Sequence, residues 1–391
     1  MGRRRRILVA VAVGLSACSV LGSLLLVRQL TATPGRLSAR PSVTPSVGFE
    51  KSPAAADLPA GEASAPPRED RDDRLTLSQL VGQMVISGID GGTPDAGTLR
   101  AVREGELGGI LLFSRNVSGA LPAQVQLLQE SAAAGGNPPL FVATDQEGGT
   151  VKRLPGPPKS PRLMASEAEA RSEGQATAAL LVSNHINVNF APVADVTAAQ
   201  GFEAVQGRGF AGDSHRVAAL ADAFAQGLQS GGVAATAKHF PGVGSLSVDT
   251  DTALGRVGAS EAQLEEQVVP FRQLSQDGVD MVMLANAVYA GWDAEKPAVF
   301  SSKVIAQLRQ RVGFQGVVIT DDLNAASLSG DVGSRAVEAV AAGADIALYG
   351  SPTAGLAAYA ALLAAAQSGR LSRSRLLESH DRLIALKAKL T

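Results

Sequence analysis

The chain has 391 residues, 45% hydrophobic and 18% charged, which supplies enough apolar material for a sizeable core and excludes wholesale disorder. Its 35 Lys and Arg nearly balance 37 Asp and Glu, so no basic field exists to grip phosphates and nucleic acid is not expected as a partner. A single cysteine, Cys18, excludes disulfide frameworks and thiolate zinc sites; the four histidines, His185, His215, His239 and His380, lack metal-ligand spacing, so neither a metal nor an organic cofactor is expected.

Taken in chain order, Arg3, Arg4, Arg5 and Arg6 precede an uncharged stretch over residues 7–27, about 21 residues and long enough as a helix to cross a bilayer. Within it Leu15-Ser16-Ala17-Cys18 matches a bacterial lipobox, yet the residues after Cys18 stay apolar. A signal anchor, a lipoprotein signal and cleavage to a soluble form are therefore all open over residues 1–27; all three export the chain, and the first two attach it to the membrane at the extracytoplasmic face. Residues 28–74, rich in Pro, Ala, Ser and Thr and closing in a charged run, read as a disordered linker. No comparable break follows, so residues 75–391 read as one domain.

In that domain short apolar runs recur at 84–87, 109–113, 140–143, 187–191, 234–238, 281–285, 317–320 and 346–349, each followed by a polar loop and an Ala/Leu-rich segment of helical period. Continuous apolar runs suit strands buried on both faces of a parallel sheet, and eight such units close into a (β/α)8 barrel. The expected fold is thus α/β: a TIM-type barrel, single domain, after an N-terminal membrane segment and linker. A doubly wound sheet is the alternative, but the glycine fingerprint of a dinucleotide site is missing after the first strand.

A parallel barrel collects its chemistry at the C-terminal ends of its strands. Strand three delivers Asp145, Glu147 and then Arg153; strand four leads to Asp195 and Arg208; strand five delivers Lys238 and His239; strand seven delivers Asp321 and Asp322. Singly each has a bland reading as a helix cap, a surface cation or a core histidine. Converging on one barrel mouth, they would be costly to bury without mutual pairing or a polar ligand, and a sugar fits.

Four segments carry a family resemblance: Thr144-Asp145-Gln146-Glu147-Gly148-Gly149, the run from Asn189 through Pro192 and Asp195 to Val196, Lys238-His239-Phe240-Pro241-Gly242, and Ile319-Thr320-Asp321-Asp322-Leu323. Together they resemble glycoside hydrolase family 3, in its single-domain β-N-acetylglucosaminidase branch. The resemblance implies Asp321 as catalytic nucleophile, Asp145 and Arg153 as holders of sugar hydroxyls, Arg208 in the same pocket, Lys238 and His239 at the far edge of the ring, and Asp322 in support. Such a retaining enzyme needs an ionised carboxylate below the anomeric carbon and an acid about 5–5.5 Å away, with neighbouring Lys and Arg expected to keep Asp321 ionised.

The sequence departs from the family pattern in the loop after strand five. Where the branch has KHFPGHG and then Asp-Ser-His, this chain has Val243 for one histidine, retains Asp249, and carries Asp251 in the slot of the acid/base histidine. Thr150 also stands where the family has arginine. Asp251 is read as a substitute acid whose proton affinity is raised by Asp249. The alternatives are a sugar-binding homologue without turnover, and a β-glucosidase or β-xylosidase. Trp292 is read as either a sugar-stacking or a packing residue. By resemblance the reaction is release of terminal β-linked N-acetylglucosamine, with cell-wall glycan fragments as the expected partner and a monomer as the expected state.

Overall fold

A computed structural model of the chain describes residues 75–390. Eight strands appear in chain order: β1 (Val85–Gly88), β2 (Gly109–Leu112), β3 (Phe141–Thr144), β4 (Val188–Asn189), β5 (Ala234–Phe240), β6 (Met281–Leu284), β7 (Val317–Asp322) and β8 (Ile346–Tyr349). Each pairs with its sequence neighbours in parallel, and β8 closes on β1. All residues of β1, β2, β3, β6 and β8 are buried, which is why they read as unbroken apolar runs.

Two irregularities in this ladder matter for function. Along β5 and β6 the register passes from Ala237 opposite Val282 to Phe240 opposite Leu284, so β5 absorbs one extra residue around Lys238 and His239. Along β7 and β8 it passes from Ile319 opposite Ile346 to Asp322 opposite Leu348, an extra residue around Thr320 and Asp321. Such a bulge bends its strand and re-aims a side chain. Both lie at the residues that bear chemistry.

Outside the barrel, helices Glu167–Val182 and Ser214–Ser230 approach until their backbones touch: a Cβ on Gly174 would stand 2.3 Å from the Phe224 carbonyl oxygen, and one on Gly227 would stand 2.3 Å from that of Arg171. The barrel is locked at its last turn by Asp345, which is fully buried. Its carboxylate accepts from Arg309 (2.8 Å), Arg375 (3.2 Å), Arg382 (3.1 Å), Ser379 (2.7 Å) and the Val318 backbone (3.0 Å), tying β7 to the C-terminal helix Arg373–Lys387. A three-stranded sheet of Gly255–Val257, Ala287–Tyr289 and Asp293–Pro297 joins the loops after β5 and β6.

The structure corrects one part of the expected fold, the membrane segment. Among the described residues no helix is long and apolar enough to cross a membrane. The longest, Ser214–Ser230, has 17 residues, about 25 Å at 1.5 Å per residue against a hydrocarbon core of about 30 Å. Residues 7–27, on which that expectation fell, and the linker expected at 28–74 lie outside the described residues.

Candidate active site

The C-terminal ends of the strands surround a cavity of about 230 Å³ whose wall includes Asp145, Arg153, Arg208, Lys238, His239, Asp249, Asp251 and Asp321. All eight site residues read from the sequence therefore meet in one place. Seven carboxyl groups line this cavity against three cations, and the pairing among them decides which remain available for chemistry.

Lys238 sits at the centre of the pairing. Its Nζ is 2.8 Å from Asp145 Oδ1 and 2.6 Å from Glu147 Oε1, and the residue is 2% exposed. Arg208 donates two bonds to Glu147, at 2.7 and 3.0 Å, in the planar fork geometry that suits a carboxylate. Arg153 reaches Asp145 Oδ2 at 3.2 Å and lies over the Phe113 ring. Burial alone would raise the Asp145 carboxyl, but Lys238 and then Arg153 outweigh it and hold it at about 2. Glu147 is likewise brought below its usual value against burial, by Arg208 and Lys238.

Local sequence explains the placing of Arg153. Gly148 and Gly149 take φ of 92° and 65°, and a Cβ on Gly148 would stand 2.2 Å from the Lys159 carbonyl oxygen, so the chain can reverse here only with glycine. Gln146 then holds the return: its Oε1 accepts from the backbones of Arg153 and Leu154, both at 2.9 Å, while its Nε2 donates to Leu154 and Pro157.

Asp321 stands on the β7 bulge and accepts the Asp322 backbone N–H at 2.9 Å. The cations expected to keep it ionised are engaged by Asp145 and Glu147. Burial pushes its carboxyl up to about 7; His239 opposes this and the charge of Asp251 adds to it. Asp251 lies at the exposed rim, where partial desolvation and then Asp249 raise its carboxyl. Its loop is pinned on both sides: Asp249 Oδ1 accepts the Asp251 backbone N–H at 3.0 Å, and Ser327, from the loop after β7, donates to the carbonyls of Thr250 and Asp251. Asp322 accepts from the backbones of Asn324 (2.8 Å) and Gly350 (3.1 Å), a supporting arrangement.

His239 turns Nδ1 toward Asp195 Oδ2 at 2.9 Å, and Asp195 also accepts the backbone N–H groups of His239 (3.1 Å) and Val243 (2.7 Å). Beside this pair lies Glu203, on the short helix Phe202–Val205, with Oε1 3.3 Å from His239 Nδ1 and 3.4 Å from Arg208. Burial, then the charge of Asp195, pushes Glu203 up to about 8. The reading from sequence did not single out Glu203; its signal, an acid five residues before Arg208, is too weak to notice without the fold. Trp292 lies off the cavity wall and packs on Phe240, with ring centroids 6.0 Å apart.

Residues 76–386 match the family model of the glycosyl hydrolase family 3 N-terminal domain. The chain belongs to glycosyl hydrolase family 3. Among its relatives in that family is an uncharacterized secreted glycosyl hydrolase of Arthroderma benhamiae, 36% identical over 335 residues, 81% of this chain and 95% of that protein. Two solved structures are similar. A family 3 β-N-acetylglucosaminidase from Paenibacillus sp. str. FPU-7 has a TM-score of 0.76 and 36% identity, with 81% of this chain matched to 63% of that one. A β-N-acetylhexosaminidase from Beutenbergia cavernae has a TM-score of 0.74 and 34% identity, over 80% of this chain and 99% of that one. The family 3 chain therefore spans somewhat less than two thirds of the Paenibacillus chain and nearly all of the Beutenbergia one.

Proposed function

We propose that this family 3 hydrolase is an exported retaining β-N-acetylhexosaminidase that releases terminal β-linked N-acetylglucosamine from peptidoglycan-type or related glycans, with Asp321 as nucleophile and Asp251 as acid/base. The observation that carries the reading is the placing of Asp321 and Asp251 on the wall of one cavity, each bearing a raised pKa, with Asp251 contributing to that of Asp321. Two coupled carboxyl groups of this kind hold one proton between them over a span of pH, which is the protonation state that a nucleophile and acid pair needs.

In the first step the Asp321 carboxylate attacks the anomeric carbon, the glycosidic C–O bond breaks, and the Asp251 proton passes to the departing oxygen. In the second, ionised Asp251 takes a proton from water, the water oxygen attacks the anomeric carbon, and the ester to Asp321 breaks. Asp145, Arg153, Arg208, Lys238 and His239 bind the sugar hydroxyls, and Asp249 orients the Asp251 backbone. A cavity of about 230 Å³ suits a single terminal sugar rather than a chain threaded through the site. Export is supported by the basic, apolar N-terminal sequence and by the name of the fungal relative as secreted.

The test is release of 4-nitrophenol from the aryl β-N-acetylglucosaminide, compared with the β-glucoside and β-xyloside. Turnover of the first at least tenfold above the others is expected; preference for a plain glucoside or xyloside refutes the substrate assignment.

A further inference from the structure

One cluster beside the cavity has no role in the bond-breaking steps, although His239 also borders the sugar. Asp195, Glu203 and His239 come from three different segments, and all are buried. Asp195 Oδ2 lies 2.9 Å and Glu203 Oε1 3.3 Å from the same His239 Nδ1, and the ligand atoms of the three fall within 4.8 Å of one another. A second, independent observation concerns Glu203 Oε2, which is buried and has no hydrogen-bond partner although the residue is only 3% exposed. Two buried carboxyl groups side by side need a proton or a cation between them. The side-chain cations nearby are largely engaged elsewhere: Lys238 is held by Asp145 and Glu147, and Arg208 gives its fork to Glu147 and reaches Glu203 at 3.4 Å.

We propose that Asp195, Glu203 and His239 form a divalent-cation site that takes zinc, with one oxygen from each carboxylate and Nδ1 of His239 as ligands and a water from the cavity as the fourth. Zinc sits about 2.1 Å from nitrogen and oxygen ligands. Donor pairs 3.3 and 2.9 Å apart then subtend angles of about 104° and about 87° at the metal, so a small opening of the Asp195 side reaches tetrahedral geometry. An imidazole nitrogen with two carboxylates favours zinc over magnesium or calcium, which prefer all-oxygen shells.

The proton on Nδ1, where present, moves to Nε2, leaving His239 able to donate from that nitrogen. The Asp195 carboxylate keeps its bonds from the His239 and Val243 backbones, which orient it as a ligand.

The experiment is calorimetric titration of the chelator-treated full chain with zinc chloride at pH 7. One zinc per chain is expected. Glu203→Gln and Glu203→Ala, each checked for folding by circular dichroism, should weaken binding by at least about a hundredfold, since loss of even an outer partner costs about 10–100-fold. Asp251→Ala should bind zinc as the unaltered chain does. No zinc binding overturns the proposal. So does binding that survives in both folded Glu203 variants, or binding lost in Asp251→Ala, which would place the metal on the rim carboxylates.

Discussion

Replacing Asp251 by alanine separates the two carboxyl roles. General acid catalysis contributes about 10²–10⁴ in rate, or about 3–5 kcal/mol in the barrel's favour, and only where the departing oxygen needs a proton. The structure adds a second effect. Asp321 is raised to about 7 first by burial and further by the charge of Asp251, so removing that charge lowers the Asp321 pKa while burial still holds it above an ordinary carboxyl. In the unaltered enzyme the coupled pair must carry one proton. Activity therefore rises as the first carboxyl ionises and falls, near or above pH 7, as the last proton leaves. In Asp251→Ala the alkaline fall should vanish for an activated aryl glycoside, leaving one acid limb set by Asp321 alone. The assay is kcat/KM against pH for 4-nitrophenyl β-N-acetylglucosaminide and for a β-linked N-acetylglucosamine disaccharide. A loss of 10²–10⁴ on the disaccharide, with much less on the aryl substrate, is expected. Equal losses on both substrates, or an unchanged alkaline limb, would refute the acid assignment.

Three further predictions concern the scaffold. Asp345→Ala strips three guanidinium groups of their shared buried carboxylate and should lower stability by about 3–5 kcal/mol in urea unfolding; a change under 1 kcal/mol contradicts the hub. Glu147→Gln removes one carboxylate from Lys238 and Arg208 and should lower kcat/KM through misplaced Lys238 and Arg208, with Asp145 still paired; unchanged kinetics would show that this pairing does not position the site. Lys387, packed against the Phe141 ring and bonded to Gln83 and the Gly108 carbonyl, is brought from 10.5 down to about 7 by burial. The unfolded chain then binds the extra proton between pH 7 and 10.5, so this group makes the fold more stable as pH rises through that window, by at most about 5 kcal/mol. Lys387→Met should flatten the rise of Tm between pH 7 and 9 relative to the unaltered chain; an identical slope would show that the amine is not depressed.

Much of the barrel was legible because a parallel strand enclosed on both faces leaves a short unbroken apolar run, as in Met281–Leu284. The site was legible for a related reason: the fold puts polar residues at the ends of such runs at one mouth, and Asp145, Lys238 and Asp321 each stand at or just past the end of one. Distance in sequence hid the rest. Arg208 and Glu147 are 61 positions apart, and only the fold shows that Arg208 serves this carboxylate. The same pairing explains why the cations near Asp321 only partly offset its burial, where the sequence had suggested that they would keep it ionised. Glu203 sits on a four-residue helix with no periodic pattern, so its burial beside Asp195 could not be read in advance. The bulges at Lys238 and Asp321 likewise depend on register with a neighbouring strand.

The central claim is that Asp321 forms a covalent bond to the sugar. Incubation with a 5-fluoro N-acetylglucosaminyl fluoride should trap that ester, because fluorine slows its hydrolysis more than its formation. Tryptic digestion then yields the peptide of residues 312–335, which holds Asp321, Asp322 and Asp331, and fragmentation assigns the adduct among them. An adduct on Asp321, absent from Asp321→Asn, is the predicted result. A label on Asp322 or any other residue, or steady hydrolysis of the aryl substrate by Asp321→Asn, would contradict it.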